Sequence, residues 1–341
     1  MKTIFKSAAM FIASVILSLG CGAGTSDSGE LTNNTNVRKA PGAAAISTAL
    51  HKGAPFKMRT VCDTVKNFQS VAVSADGTKL AAVVNGGKIY SSSDSGCTWA
   101  PRGVSAEWRS VASSSDGTKL VAVVDGGQIY TSTDSGATWT SHDSNRRWCS
   151  VASSSDGTKL VAVVNGGQIF TSSDSGASWT SRESDRNWQS VASSSDGSKL
   201  VAVADGGQIY TSSDSGARWA ARDTNRHWQS VTSSSDGTKL VAVVDGGQIY
   251  TSSDSGATWK SCDSDRRWCS VASSSDGTKL VAVALSGHVS ESADSGVTWI
   301  TRKSNRAWYS VASTSDGSKM VALTRGGQMY IFEPSTARTP G

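Results

Sequence analysis

The stretch WQSVASSSDGSKLVAVADGGQIYTSSDSGARWAARDTNR, residues 188–226, decides the fold. Four β-prone runs are separated by three turn signals, Ser195-Asp196-Gly197-Ser198-Lys199, Asp205-Gly206-Gly207 and Asp214-Ser215-Gly216. That pattern predicts a four-stranded antiparallel meander. The first run carries small residues at Ser190, Ala192 and Ser194, as a strand crowded around an axis must. The second, Leu200–Ala204, is continuously apolar, as expected when both faces of a sheet are covered by neighbours.

Outward from this stretch the same unit recurs every 40 residues. All 12 tryptophans fall into two series, Trp108, Trp148, Trp188, Trp228, Trp268 and Trp308, and Trp99, Trp139, Trp179, Trp219, Trp259 and Trp299. The first series extends back to Phe68, which makes seven copies. A period near 40 with strand-like content is that of a propeller blade. Helical solenoids also repeat near that length, but these units are built from Gly, Ser, Thr and Val without apolar residues at helical spacing. The expected architecture is all-β: a seven-bladed β-propeller of four-stranded antiparallel blades, residues 56–332.

The seventh copy stops early. After Phe332 come Glu333 and Pro334, with no third turn and no fourth run, and 333–341 reads as a tail. At the other end, Lys57–Asp63 aligns with Ala217–Asp223 of the type unit, so this segment is expected to supply the missing outer strand of the last blade. Such a strand closes the ring and removes an open sheet edge.

Residues 1–20 read as an export signal: Lys2 and Lys6, then an apolar stretch from Ala8 to Leu19, then the small-residue site Ser18-Leu19-Gly20. Leu17-Ser18-Leu19-Gly20-Cys21 resembles the lipobox of bacterial lipoproteins, with Ser18 where leucine is usual. The resemblance implies lipidation at Cys21 and a membrane-anchored chain, periplasmic or at the cell surface; an ordinary secreted protein is the alternative. Residues 21–55, rich in Gly, Ser, Thr, Asn and Ala, read as a flexible tether. The five other cysteines, Cys62, Cys97, Cys149, Cys262 and Cys269, are odd in number and show neither CxxC nor metal spacing. No cofactor and no metal is expected.

The third turn approximates the Asp-box, S-x-D-x-G-x-T-W, in six copies at Asp94, Asp134, Asp174, Asp214, Asp254 and Asp294, with Arg218 in place of Thr in the fourth. An Asp carboxylate there can accept hydrogen bonds from its own turn, Gly supplies positive φ, and the Trp is expected to bury its ring beside the next blade. These aspartates are assigned to folding. The whole rhythm, W-x-S-V…DG…L-V-A-V…GG-x-I-Y-x-S-x-D-S-G-x-T-W, resembles the Asp-box (BNR) repeat propellers of the sialidase-like superfamily, and particularly the photosystem II assembly-factor family. That resemblance implies a ligand face opposite the Asp-boxes, bearing an arginine patch.

On that face the loops NRRW, DRNW, NRHW, DRRW and NRAW place Arg146, Arg186, Arg226, Arg266 and Arg306 at one position in five blades, and Lys66 continues the series. Ala106 and Glu107 interrupt it. Opposite are expected the second-turn residues, among them Asp125, Asp205 and Asp245. Two readings stand: the arginines pair with those carboxylates and cover the Trp faces, or they ring a channel mouth and receive an anionic protein or glycan. The chain carries a formal charge of +5. Nucleic acid is nevertheless not an expected partner, because the signal exports the chain and a ring offers no single-strand groove. Near-identical blades suit a monomeric, non-catalytic binding or scaffold module. The alternative is a sialidase-like glycoside hydrolase, for which Glu107 and Tyr309, with Glu183 and Glu291, are the residues that break the repeat.

Overall fold

The computed structural model describes residues 56–60 and 66–334, and every regular element in it is a β-strand. Blades 1 to 7 are counted from Phe68, Trp108, Trp148, Trp188, Trp228, Trp268 and Trp308. Blade 3 shows the meander with its strands separate. The strand Thr140–Ser153 pairs through Trp148↔Val164 to Ser153↔Leu160 with Leu160–Gly167, which pairs in turn with Ile169–Ser172; that strand pairs with Thr180–Ser181. All pairings are antiparallel.

The ring closes at the hub. The amide of Ala75 donates to the carbonyl of Ser115, Ser115 to Ser155, Ser155 to Ser195, and so on through Ser235, Ser275 and Ser315, whose amide returns to Ala75 at 3.1 Å. These residues open the first turn of each unit, two places past the end of the inner strand, and only the small side chains of Ser and Ala stand there. At the rim the last blade is completed as expected: Phe56–Thr60 pairs antiparallel with Met329–Pro334. The register is one residue away from the sequence alignment, with Thr60 opposite Tyr330 and Met58 opposite Phe332. In the type blade the equivalent of Tyr330, Tyr210, faces Ala221. A one-residue slip exchanges the faces of a strand, and this one turns Met58 onto the cluster formed by Trp308, Tyr330 and Phe332.

The core lies in the seams between blades. Val121, Val123 and Ile129 of blade 2 meet Trp148, Val151, Leu160 and Val164 of blade 3, and equivalent clusters fill the other seams. The inner-strand tryptophans are at most 1% exposed, so truncating one to Ala costs about 3–5 kcal/mol. Trp148 meets Phe170 edge to face at 5.1 Å and Trp179 at 6.4 Å. Trp179 therefore packs on its own blade's inner tryptophan, in the seam with the preceding blade; the expectation that third-turn tryptophans lie beside the next blade is corrected.

One local feature was not expected from turn signals. In blade 2 the Asp125-Gly126-Gly127 turn and the loop before Trp148 hydrogen-bond to each other, Asp125 opposite Arg147 and Gly127 opposite Arg146, with bulges between. Two segments that read as loops thus form one bulged ladder, and strands run unbroken through both, as Leu120–Ser132 and Thr140–Ser153. A Cβ on Gly127 would stand 2.6 Å from the Val124 side chain, so the close turn requires glycine.

Candidate partner-binding face

The loops of Arg146, Arg186, Arg226 and Arg266 sit on such bulged ladders, and their geometry begins with the acid three residues earlier. Asp143, Asp223 and Asp263 adopt left-handed backbone, with φ of 62°, 51° and 62°, a conformation that Asp tolerates better than most residues. The turn is capped locally: Asp143 accepts from the Ser144 amide at 2.6 Å and Asp223 from the Thr224 amide at 2.7 Å. Each acid then faces the arginine of its own loop, at 3.6 Å for Asp143–Arg146, 3.1 Å for Glu183–Arg186, 3.7 Å for Asp223–Arg226 and 3.0 Å for Asp263–Arg266.

From this anchor the guanidinium lies over the third-strand aromatic ring of the following blade. Arg146 is 4.5 Å from the Phe170 centroid, Arg186 4.5 Å from Tyr210, Arg226 4.6 Å from Tyr250 and Arg306 4.8 Å from Tyr330; Lys66 is 5.0 Å from Tyr90. Blade 6 breaks the pattern, because Ser290 replaces the aromatic. There Arg266 lies over Trp268 at 5.3 Å, and the Ser290 hydroxyl donates to Asp263 at 3.0 Å. About a third of each side chain of Arg146, Arg186 and Arg226 remains exposed, against 18% for Arg266. Each guanidinium is thus fixed by a carboxylate and a π face while part of it is open to solvent.

One sequence expectation is corrected here. Asp125, Asp205 and Asp245 do not face the arginine series; they pair with the next residue, Arg147 at 3.5 Å, His227 at 2.7 Å and Arg267 at 3.1 Å. These pairs form a second, more exposed row. The arginines do cover inner-strand tryptophans, Arg146, Arg186 and Arg226 lying 5.9, 5.8 and 5.8 Å from the Trp148, Trp188 and Trp228 rings. The acids that hold them were missed in the sequence, although the signal is present as an Asp or Glu three places before each of Arg146, Arg186, Arg226 and Arg266.

Glu107 is exposed, opposite Asn85 on the ladder between blades 1 and 2. Tyr309 lies on the inner strand of blade 7, half-buried. The inner strand of blade 1 stands between the strands that carry them, as the hub order Ser315, Ala75, Ser115 requires. Glu183 is engaged by Arg186, and Glu291, whose carboxyl is pushed up by burial, faces Arg302 at 3.9 Å. The four acid and tyrosine candidates are not brought together. Cys149 and Cys269 follow the inner tryptophans of blades 3 and 6, and burial pushes both thiols up to about 12; each donates to the carbonyl of the next inner tryptophan. Cys21 and Cys62 lie outside the described residues.

On the opposite face the third-turn aspartates are closed on themselves. Asp134 accepts from the Thr138 hydroxyl at 2.6 Å, the Thr138 amide at 2.9 Å and the Ser132 hydroxyl at 2.8 Å, which hold its carboxyl down at about 2. The first turn holds an equivalent set: Asp116 accepts from the Ser114 and Thr118 hydroxyls and the Thr118 amide and also falls to about 2. Carboxylates so satisfied serve their own turns.

No protein-family profile matches this chain, and no curated protein matches it. Solved structures do. YCF48 from Cyanidioschyzon merolae is similar with a TM-score of 0.66 at 17% identity, over 82% of this chain and 99% of that one. YCF48 bound to D1 peptide gives 0.65 at 19% identity, over 82% and 97%. The Cps50 (Swd1) β-propeller domain of Myceliophteria thermophila gives 0.65 at 12% identity, over 82% and 100%. At these identities the likeness establishes the β-propeller fold and nothing finer.

Proposed function

We propose that this chain is an exported, non-catalytic Asp-box propeller that holds a protein partner on its arginine face. The observation that carries the reading is the fixed guanidinium series: Arg146, Arg186 and Arg226 are each clamped by an acid of their own loop and an aromatic of the next blade, yet remain about one-third exposed. Donors fixed before binding lose little side-chain entropy on contact. Their repetition around the ring suits an extended acidic or carbonyl-rich peptide. That a similar propeller is known bound to a D1 peptide supports a peptide-sized partner. The Asp turns on the other face, satisfied internally, are read as the structural repeat. Residues 1–20 are read as the signal and 21–55 as a tether fixed through lipid on Cys21; metabolic labelling with palmitate should mark the mature chain and lose the mark in Cys21→Ser.

The binding reading is tested with the full chain on an array of acidic, neutral and basic peptides at low and high salt. Acidic peptides are expected to bind best, and Arg146→Ser/Arg186→Ser/Arg226→Ser to weaken that binding by at least about tenfold. Binding that ignores both the substitutions and salt would refute it.

A further inference from the structure

On the Asp-turn face, away from the arginine series, the grooves between blades are not equivalent. That between blades 2 and 3 encloses about 10 Å³, that between blades 3 and 4 about 240 Å³, and that between blades 4 and 5 about 400 Å³. The last falls within the range of about 300–1,000 Å³ common for small-molecule sites. Two substitutions in one turn distinguish it. Ala220 stands where blades 2 and 3 carry Thr140 and Thr180, and Arg218 where they carry Thr138 and Ser178.

The exchange at 218 has two consequences. Elsewhere the residue at this position donates a hydroxyl to the outer carboxylate oxygen of the turn, at 2.6 Å from Thr138, 2.5 Å from Ser178 and 2.6 Å from Thr258. Asp214 retains the Arg218 amide at 2.9 Å and the Ser212 hydroxyl at 2.8 Å but loses that third donor. Its Oδ2 is left to accept from something else. Meanwhile the Arg218 side chain, exposed, joins Lys199 and Arg222 in the groove lining. Arg222 is aimed by its Nε, which donates to Thr211 Oγ1 at 3.0 Å, and Lys199 Nζ reaches Ser255 Oγ at 3.3 Å across the seam. Trp219, Leu200 and Leu240 supply apolar wall.

We propose that this groove between blades 4 and 5 is a binding site for an acidic saccharide, a sugar ring carrying a carboxylate. The guanidinium groups of Arg218 and Arg222 take the carboxylate, Asp214 Oδ2 accepts from a ring hydroxyl, and the apolar wall receives C–H faces of the ring. Sulfate has the charge but no hydroxyl to donate to Asp214, and a neutral sugar has the hydroxyls but no group for the two arginines. The acidic sugar satisfies both halves of the site.

The test titrates the full chain with glucuronic acid, glucose and inorganic sulfate, by calorimetry and by saturation transfer to the ligand protons. Glucuronic acid should saturate a single site and bind at least about tenfold tighter than glucose or sulfate. Arg218→Thr, which restores the residue of blades 1, 2, 5 and 6, should melt no lower than the parent and lose at least about tenfold in affinity. Arg222→His, the residue of blade 2, serves as a second variant with the same expected loss. Absence of saturable glucuronic acid binding, equal binding of sulfate, or full binding by both variants would each overturn the proposal.

Discussion

Aspartate does opposite work on the two faces of this propeller. On the Asp-turn face each carboxylate is answered within four residues of itself, as Asp174 is by the Ser178 amide and hydroxyl and by Ser172. On the arginine face Asp143, Asp223 and Asp263 answer a cation that also leans on the next blade. The first arrangement is complete without a partner at every such turn that keeps its hydroxyl donor, Asp214 being the exception. The second holds charged groups fixed but partly uncovered. Repetition with closed hydrogen bonding therefore marks what folds the blade, whereas repetition with open valence marks what a blade can offer to something else.

The largest effect expected bears on the ring that carries both faces. Deleting residues 56–64 removes the outer strand of blade 7 and exposes the edge of Met329–Pro334 together with the face that Met58 covers. Lost ladder hydrogen bonds and a lost Met contact amount to about 3 kcal/mol or more, so the Tm should fall by roughly 10 °C. An unchanged melt would show that the ring is held at the hub alone.

Next in size is the acid response of the closed face. Asp116, Asp134, Asp156, Asp174, Asp236 and Asp254 are all held at about 2 against an ordinary value of 3.8. Because these carboxyls are depressed in the folded state, their contribution is full above pH about 4 and is lost as pH falls toward 2. The Tm should hold down to pH about 4 and then drop steeply. Replacing Asp174 with Ala should cost about 1–2 kcal/mol at neutral pH and flatten part of that drop; a pH-independent melt would mean the turns are held by their glycines and tryptophans instead.

This contrast also explains what was legible in the sequence. The 40-residue period, the tryptophan series and the Ser-x-Asp-x-Gly turns are short-range patterns, and each reports a local hydrogen-bond set or a buried ring, so blade, ring and closing strand could be read from them. The register of Phe56–Thr60 could not, because it is set by Met58 fitting between Trp308, Tyr330 and Phe332 at the far end of the sequence. The arginines were legible as a series, but their partners were not. The sequence alignment pointed to Asp125, Asp205 and Asp245 across the ladder, whereas the bulge at the Gly-Gly turn shifts those acids onto Arg147, His227 and Arg267. Bulges leave little trace in a repeat that reads as a plain turn.

The finest test sets two arginines of the same face against each other. Arg226 is paired with Asp223, stacked on Tyr250 and two-thirds covered; Arg267 makes the better ion pair, 3.1 and 3.3 Å to both oxygens of Asp245, yet projects into solvent with 63% of its side chain exposed. Water screens the second pair and leaves its side chains with entropy to lose. The first gains from a desolvated ring face. Arg226→Ser should therefore cost about 1 kcal/mol and lower the Tm by a few degrees, while Arg267→Ser leaves the Tm where it was. If the two substitutions melt alike, the aromatic stack contributes nothing to the seam, and the arginine series is held in place by its acids alone.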